Sequence, residues 1–358
     1  MSVLELPSTR EEEWRYADVA GIAAAASLPV APATVDPQAL FLDLPGARIL
    51  VRDGVVDRDA SDLHRVELRH VDAADHALGR RTSGPGWSLR LAEDAAAHPV
   101  QVVHLATGGT NHLASEIVLA DDATAFVVET YAGTGWSNRA LSVTLGRAAR
   151  LQRAVRFLQD AGFQSLREDV ASGQGASLVT TFLGAGHAGS RIDCRITAGE
   201  GTYTEYGGAL LTADEQRQEC AVRLNHAEPN GQSHQLWRAV AADRSAASLA
   251  AAVEVARHAQ KTDGEQSLRG LLLHRTATVN LKPELEIFAD DVKCAHGATV
   301  GELDARALFY MQSRGIPKAK AQALLTRAFV ADAIDRIGRD EVREAFAADA
   351  DAWLERVL

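Results

Sequence analysis

The pair of side chains in this sequence best suited to chemistry is a thiol and an imidazole two residues apart, Cys294 and His296. They lie in the stretch PELEIFADDVKCAHGATVG, Pro283 to Gly301. On a strand, residues i and i+2 project from the same face with Cα atoms about 7 Å apart. A thiolate with an imidazole is a ligand set that suits iron, zinc or copper. Two ligands leave a site incomplete, so another segment or another chain has to supply the rest. Taken alone, the pair reads more simply as a half-buried thiol beside a turn histidine. Leu285, Ile287 and Ala289 alternate with Glu284, Glu286 and Phe288, giving one apolar and one largely polar face. Continuing that register places Val292, Cys294 and His296 on the glutamate side, away from the core. A bulge at Asp290-Asp291 would reverse the assignment.

The remaining motifs point away from self-contained catalysis. GAGHAG (Gly184 to Gly189) matches the dinucleotide fingerprint in letters. That fingerprint needs a helix straight afterwards, and here Ile192, Cys194 and Ile196 alternate with polar residues as in a strand. The segment is therefore read as a β-turn. There is no G-x-x-x-x-G-K-[ST] phosphate loop and no G-x-S-x-G elbow. His64, His70 and His76 recur at a spacing of six, which neither a helix face nor a zinc motif produces. His104, His112, His187, His226 and His234 read as surface or hydrogen-bonded residues. The carboxylates are too scattered to single out an acid/base pair. Cys194, Cys220 and Cys294 are odd in number and far apart, which fits free thiols in a reducing cytoplasm.

The elements that must position Cys294 and His296 are mostly strands. Residues 8–28 read as helical until Pro29, Pro32 and Pro37 break the pattern. Residues up to 97 are mixed, with a strand-like Ala47 to Val51 and a glycine-proline loop at Ser83 to Gly86. From about 98 to 300 a degenerate unit recurs: an apolar stretch, a tight polar turn, another apolar stretch. It is seen in VLADDATAFVV, VTLGRAARLQ, TFLGAGHAGSRI, LLTADEQRQECAV, AVAADRSAASLA and LLLHRTATVNL. Many short strands without hairpin signals predict a parallel β-helix, in which each coil buries its inward side chains on its neighbours. From 301 onward the spacing is helical again. Leu308, Phe309 and Gln312 precede Gly315, Pro317 opens a further helix, and Val342, Phe346, Trp353 and Leu354 form a last stripe. Three regions follow: 1–97 helical and mixed, 98–300 β-helix, 301–358 helical.

Composition narrows the class of partner. At 358 residues, with 46% hydrophobic and 24% charged residues, the chain is an ordinary folded protein of two or three structural units. A net charge of -11 argues against nucleic acid, which demands a surplus of Lys and Arg. No apolar run approaches the roughly 18 residues of a membrane span, and the start, with Glu11-Glu12-Glu13, is unlike a targeting peptide. A cytoplasmic location is expected.

The stretch that carries the thiol and imidazole also carries a resemblance. AQKTDGEQSLRGLLL, followed by KPELEIFADDVKCAHGATVGELDARALFYMQSRGI, resembles the SufD family of the SUF iron–sulfur cluster assembly machinery, and STREEEWRY is similar to that family's opening. Ala295 departs from the serine common there. The resemblance implies a mainly β chain: a right-handed parallel β-helix flanked by N-terminal and C-terminal α-helical units. It implies a complex as well. Such chains pair through the β-helix with a SufB-like subunit and dock a SufC-like ATPase on the C-terminal helices, here about 302–337. His296 matches the family histidine implicated in holding a nascent cluster at that interface, and Cys294 its neighbouring cysteine. A transient iron–sulfur cluster would then be shared with the partner subunit, and ATP bound by the partner only. Neither a flavin nor a persulfide is assigned to particular residues. Without the partner, the same surface could pair two copies of this chain.

Two other classes stand beside this reading. The sister SufB-type scaffold carries a sulfur-accepting cysteine where this chain has roughly Gln266-Ser267, which favours the SufD type. A β-helical polysaccharide lyase or acyltransferase would need convergent carboxylates or basic groups along a groove. The expectation is a scaffold and not a self-sufficient enzyme.

Overall fold

Strands that alternate apolar and polar residues must bury one face, and in this chain they do so by stacking coil upon coil. A computed structural model describes residues 6–358; the reading of residues 1–5 as free of a targeting signal lies outside them. Four short strands come first: β1 (Arg48–Arg52), β2 (Val55–Val56), β3 (Val66–Val71) and β4 (Gly84–Leu91). Two long ones follow, β5 (Val100–Leu119) and β6 (Thr124–Leu145). The rest are β7 (Arg150–Phe157), β8 (Ala161–Ser172), β9 (Ser177–Gly184), β10 (Gly189–Ala198), β11 (Tyr203–Thr212) and β12 (Arg217–His226). The last are β13 (Gln232–Ala241), β14 (Ala246–Val255), β15 (Asp263–Leu272), β16 (Thr278–Ile287) and β17 (Lys293–Glu302).

From β7 onward each strand pairs in parallel with the strand two further on. Odd-numbered strands therefore build one face of a β-solenoid and even-numbered strands the other. β5 and β6 run along both faces. Their first halves pair with β1 and β7, and their second halves with β4 and β8. The chain crosses between faces at glycines: Gly133 has φ +87°, and a Cβ there would stand 2.0 Å from the Ala106 carbonyl oxygen. All six recurring sequence units are strand–corner–strand passages, and GAGHAG is the corner from β9 to β10. Ser83 to Gly86 is not a loop. β4 starts at Gly84 and pairs antiparallel with β3, so the glycine-proline pair sits on an antiparallel ribbon. The sheet itself begins upstream of residue 98, because β1 and β4 hydrogen-bond to β5.

The interior is largely apolar, and aromatics of successive coils meet there edge-on or tilted, Tyr131, Phe157 and Phe182 at centroid spacings of 5.0 and 6.1 Å. Helices cover its flanks. α1 (Val19–Ala26) starts at Asp18, whose carboxylate accepts from the Gly21 N–H at 2.9 Å. Ahead of it, Trp14 lies under Arg191, 4.0 Å from guanidinium carbon to ring centroid. α2 (Ala305–Ser313) ends at Gly315, φ +83°; α3 (Lys318–Ile334) and α4 (Asp340–Val357) follow. Val330, Ile334, Phe346 and Trp353 pack on the outer side of the odd-numbered face against Leu183, Leu211 and Val240. Among the described residues no helix is long and apolar enough to cross a membrane.

Candidate metal-ligand site at the open end of the solenoid

The last coil has no successor. Among the described residues β16 pairs in parallel only with β14 and β17 only with β15. Their outer edges therefore carry backbone donors and acceptors without strand partners. Side chains that would be interior in an earlier coil are uncovered here: Ile287 and Val300 are 40% and 45% exposed, and Phe288 at the corner beside them is 55% exposed.

Cys294 and His296 sit on β17 in this uncovered coil. Their register partners are Gly264 and Gln266, both buried in the interior rows of β15. The thiol points inward: its Sγ lies 3.5 Å from where a Cβ on Gly264 would stand, beside Ser233 Oγ, and it packs near Val253 and Val255. The expectation that both residues lie on the glutamate side, away from the core, is thus corrected. β16 ends at Ile287, and the corner through Asp290-Asp291 resets the alternation before β17 begins. Leu285 and Ile287 do lie in register with the interior row of β14, opposite Val253 and Val255. Because no coil lies above, Cys294 is half-buried and His296 exposed even though both occupy interior rows. Burial pushes the Cys294 thiol above its ordinary value, opposed by a hydrogen bond from the Gly264 backbone. Among the described residues no group of three or more His, Cys, Asp or Glu side chains is arranged to hold a metal. The pair thus offers at most part of a ligand shell, in the uncovered last coil.

Several of the other histidines are engaged elsewhere. His76 reaches Asp193 at 3.2 Å, His112 accepts from the Asn138 amide at 2.9 Å, and His226 meets Ser233 Oγ at 2.8 Å. His64 and His70 do not join His76 in any cluster. Cys194 and Cys220 are buried in the solenoid interior, and burial raises both thiols.

Sequence reasoning missed a buried ionic chain inside the solenoid. Arg153 bridges Glu129, at 2.6 Å, and Glu168; Glu129 also meets His104 at 3.3 Å and accepts from the Tyr131 hydroxyl at 3.2 Å. Tyr206 donates to Glu168. Burial alone would raise Glu129, but Arg153 and His104 hold its carboxyl down to about 2. Burial lowers His104 to about 4. Arg139 extends the chain by donating to His104 Nδ1 at 3.2 Å, and its members lie on neighbouring strands that it ties together.

The comparisons with known proteins follow the same outline. The SUF system FeS cluster assembly, SufBD core domain, matches residues 102–329, the span of the solenoid and the first C-terminal helices. The iron-sulfur cluster assembly protein SufD of Escherichia coli is 27% identical over 94% of this chain and 86% of its own length. Protein ABCI7, chloroplastic, of Arabidopsis thaliana is 32% identical over 61% of this chain and 47% of its own. The SufD of Bacillus subtilis is 29% identical over 41% and 33%. With well over half its length matched, and the match resting on the β-solenoid, the chain belongs to the SufBD family as a SufD-type iron–sulfur cluster assembly protein.

Proposed function

We propose that this chain is a non-catalytic scaffold that pairs, through the open last coil of its solenoid, with a second β-helical subunit of the SufB kind. The observation that carries the reading is the coincidence of two features in one coil: unpaired edges on β16 and β17, and the interior-row pair Cys294 and His296 uncovered between them. A parallel sheet edge extends by accepting another strand. A partner docked there would bury Ile287, Phe288 and Val300 and bring its own ligands to face the thiol and imidazole. The nascent iron–sulfur cluster is cargo in this scheme, held transiently across the interface, with each chain contributing part of the shell. Isolated from its partner, the chain would pair with a second copy through the same edge.

Energy enters from another subunit. The chain lacks a phosphate loop, so ATP is bound by a SufC-like ATPase. α2 supports the docking place: none of its residues is buried, and Phe309 and Tyr310 are 74% and 59% exposed. Three free thiols and a net charge of -11 suit a cytoplasmic assembly of proteins without nucleic acid or membrane. The test is co-purification with a tagged full-length chain, followed by complementation with His296→Ala. Recovery of an ATPase and a homologous β-helical subunit is expected, with cluster output lost in the variant. Undiminished output would remove His296 from the mechanism.

A further inference from the structure

The outer side of the even-numbered face carries a hollow that cluster scaffolding does not use. Outward side chains alternate there with interior ones, so Asp193, Ala221, Ala250 and Lys282 form one outward row across β10, β12, β14 and β16. The next row is Arg195, Arg223, Ala252 and Glu284. Three alanines in adjoining places leave a bare floor two strands, or about 10 Å, wide. Residues 12–16 pass over this floor and are tied down on both sides. Arg191 Nη2 donates to the Glu13 carbonyl at 2.8 Å, and Lys282 Nζ donates to Glu12 Oε1 at 2.8 Å. Strap and sheet together line a cavity of about 120 Å³. A cavity of about this size holds one six-membered ring.

The charges around the cavity are matched within the chain, with one exception. Glu12 and Glu284 pair with Lys282, Glu13 with Arg195, and Asp193 and Glu219 with Arg191. Arg223 also lines the cavity, and among the described residues its guanidinium has no ion-pair or hydrogen-bond partner. Its neighbour in register on β10 is a second guanidinium, Arg195, and like charges side by side on a sheet repel. We propose that this cavity binds a small carboxylate with a ring-sized apolar body, the ring on Ala221, Ala250 and Ala252 and the carboxylate on Arg223. A guanidinium fork matches a carboxylate through two hydrogen bonds. One unmatched cation, with Glu13 and Glu284 lining the same cavity, suits a monoanion better than a doubly charged phosphate ester. The site lies on the flank of the solenoid, outside the interior rows that carry Cys294 and His296, and needs no partner subunit.

Fluorine NMR of para-fluorobenzoate titrated with the full-length chain tests the site. Saturable binding with a Kd of millimolar order is expected for a ligand of about ten heavy atoms. The neutral para-fluorobenzamide, alike in shape, should bind at least about tenfold more weakly. Arg223→Gln, at an exposed position, should cause a similar loss, and Ala250→Leu, which fills the floor, should abolish binding. Circular dichroism establishes that each variant is folded; should Ala250→Leu not fold, Ala221→Leu serves. No saturable binding of the carboxylate, equal binding of the amide, or binding unchanged in either variant overturns the site. Tighter binding of para-fluorophenyl phosphate, lost in the same variants, overturns the carboxylate as its ligand class.

Discussion

Gly264 lies opposite Cys294 in the β15–β17 ladder, and the side chain it lacks is what gives the thiol its place. A Cβ there would stand 3.5 Å from Cys294 Sγ and 3.5 Å from Ser233 Oγ, an ordinary contact. Gly264→Ala therefore fits, and should raise stability by about 0.5–1 kcal/mol through the lost backbone entropy of glycine. Gly264→Val adds two methyl groups to a slot that holds one, and should turn the thiol toward solvent. The check is the rate of modification by a thiol reagent, which distinguishes Cys294 from the buried Cys194 and Cys220. A rate no faster in Gly264→Val than in the parent chain would mean the sulfur does not depend on that slot.

Arg153 is the hub of the buried ionic chain, between Glu129 and Glu168. Arg153→Met leaves Glu129 and Glu168 buried without the guanidinium that bridges them, and breaking a buried pair costs about 3–5 kcal/mol. The triple change Glu129→Gln, Arg153→Met, Glu168→Gln removes the charges together and should regain most of that loss. Urea unfolding of the two proteins reads the difference directly. Equal stabilities for the single and triple variants would show that the charges are not coupled.

The same region makes stability depend on pH. His104 is lowered to about 4 by burial, helped by Arg139 and opposed by Glu129. The unfolded chain takes up its proton near 6.5, before the folded chain does, so stability is fully present above that value and falls as pH drops toward about 4. The loss assignable to this one histidine is on the order of 3 kcal/mol. Below that window the depressed Glu129 carboxyl continues the trend, from its ordinary 4.5 down to about 2. Unfolding midpoints measured from pH 7 to pH 4 should decline in the parent chain and less steeply in His104→Gln.

Much of this architecture is legible in the residues, for reasons that are local. Each corner is written as a short polar turn between apolar runs, so the solenoid follows from spacing, and Gly315 and Pro317 mark the break between α2 and α3. What could not be read is which way a strand faces after a corner, since the turn residues themselves decide the parity. Alternation carried straight through Asp290-Asp291 puts Cys294 and His296 on the wrong side for that reason. Glu129, Arg153 and Glu168 could have been found only by aligning coils and noticing charges on inward positions. Gln235 and Gln266 carry the same signal, two amides in equivalent inward places of successive coils.

The C-terminal helices divide between structure and docking, and point changes can separate the two. α3 and α4 cover Leu183, Leu211 and Val240 on the solenoid flank, so deleting residues 302–358 would bare an apolar face as well as remove any ATPase contact. α2 covers nothing of the kind. Phe309→Ala and Tyr310→Ser alter exposed side chains, and their effect on the chain's own stability should stay within about 0.5 kcal/mol. If α2 is the docking helix, these aromatics are its anchors, and removing both should weaken binding to the ATPase subunit by at least about tenfold. Calorimetric titration of the purified subunits measures that loss, with thermal unfolding of the variant as its control. Full-strength binding by the double variant would move the ATPase contact off α2, to the exposed side of α3 around Leu324.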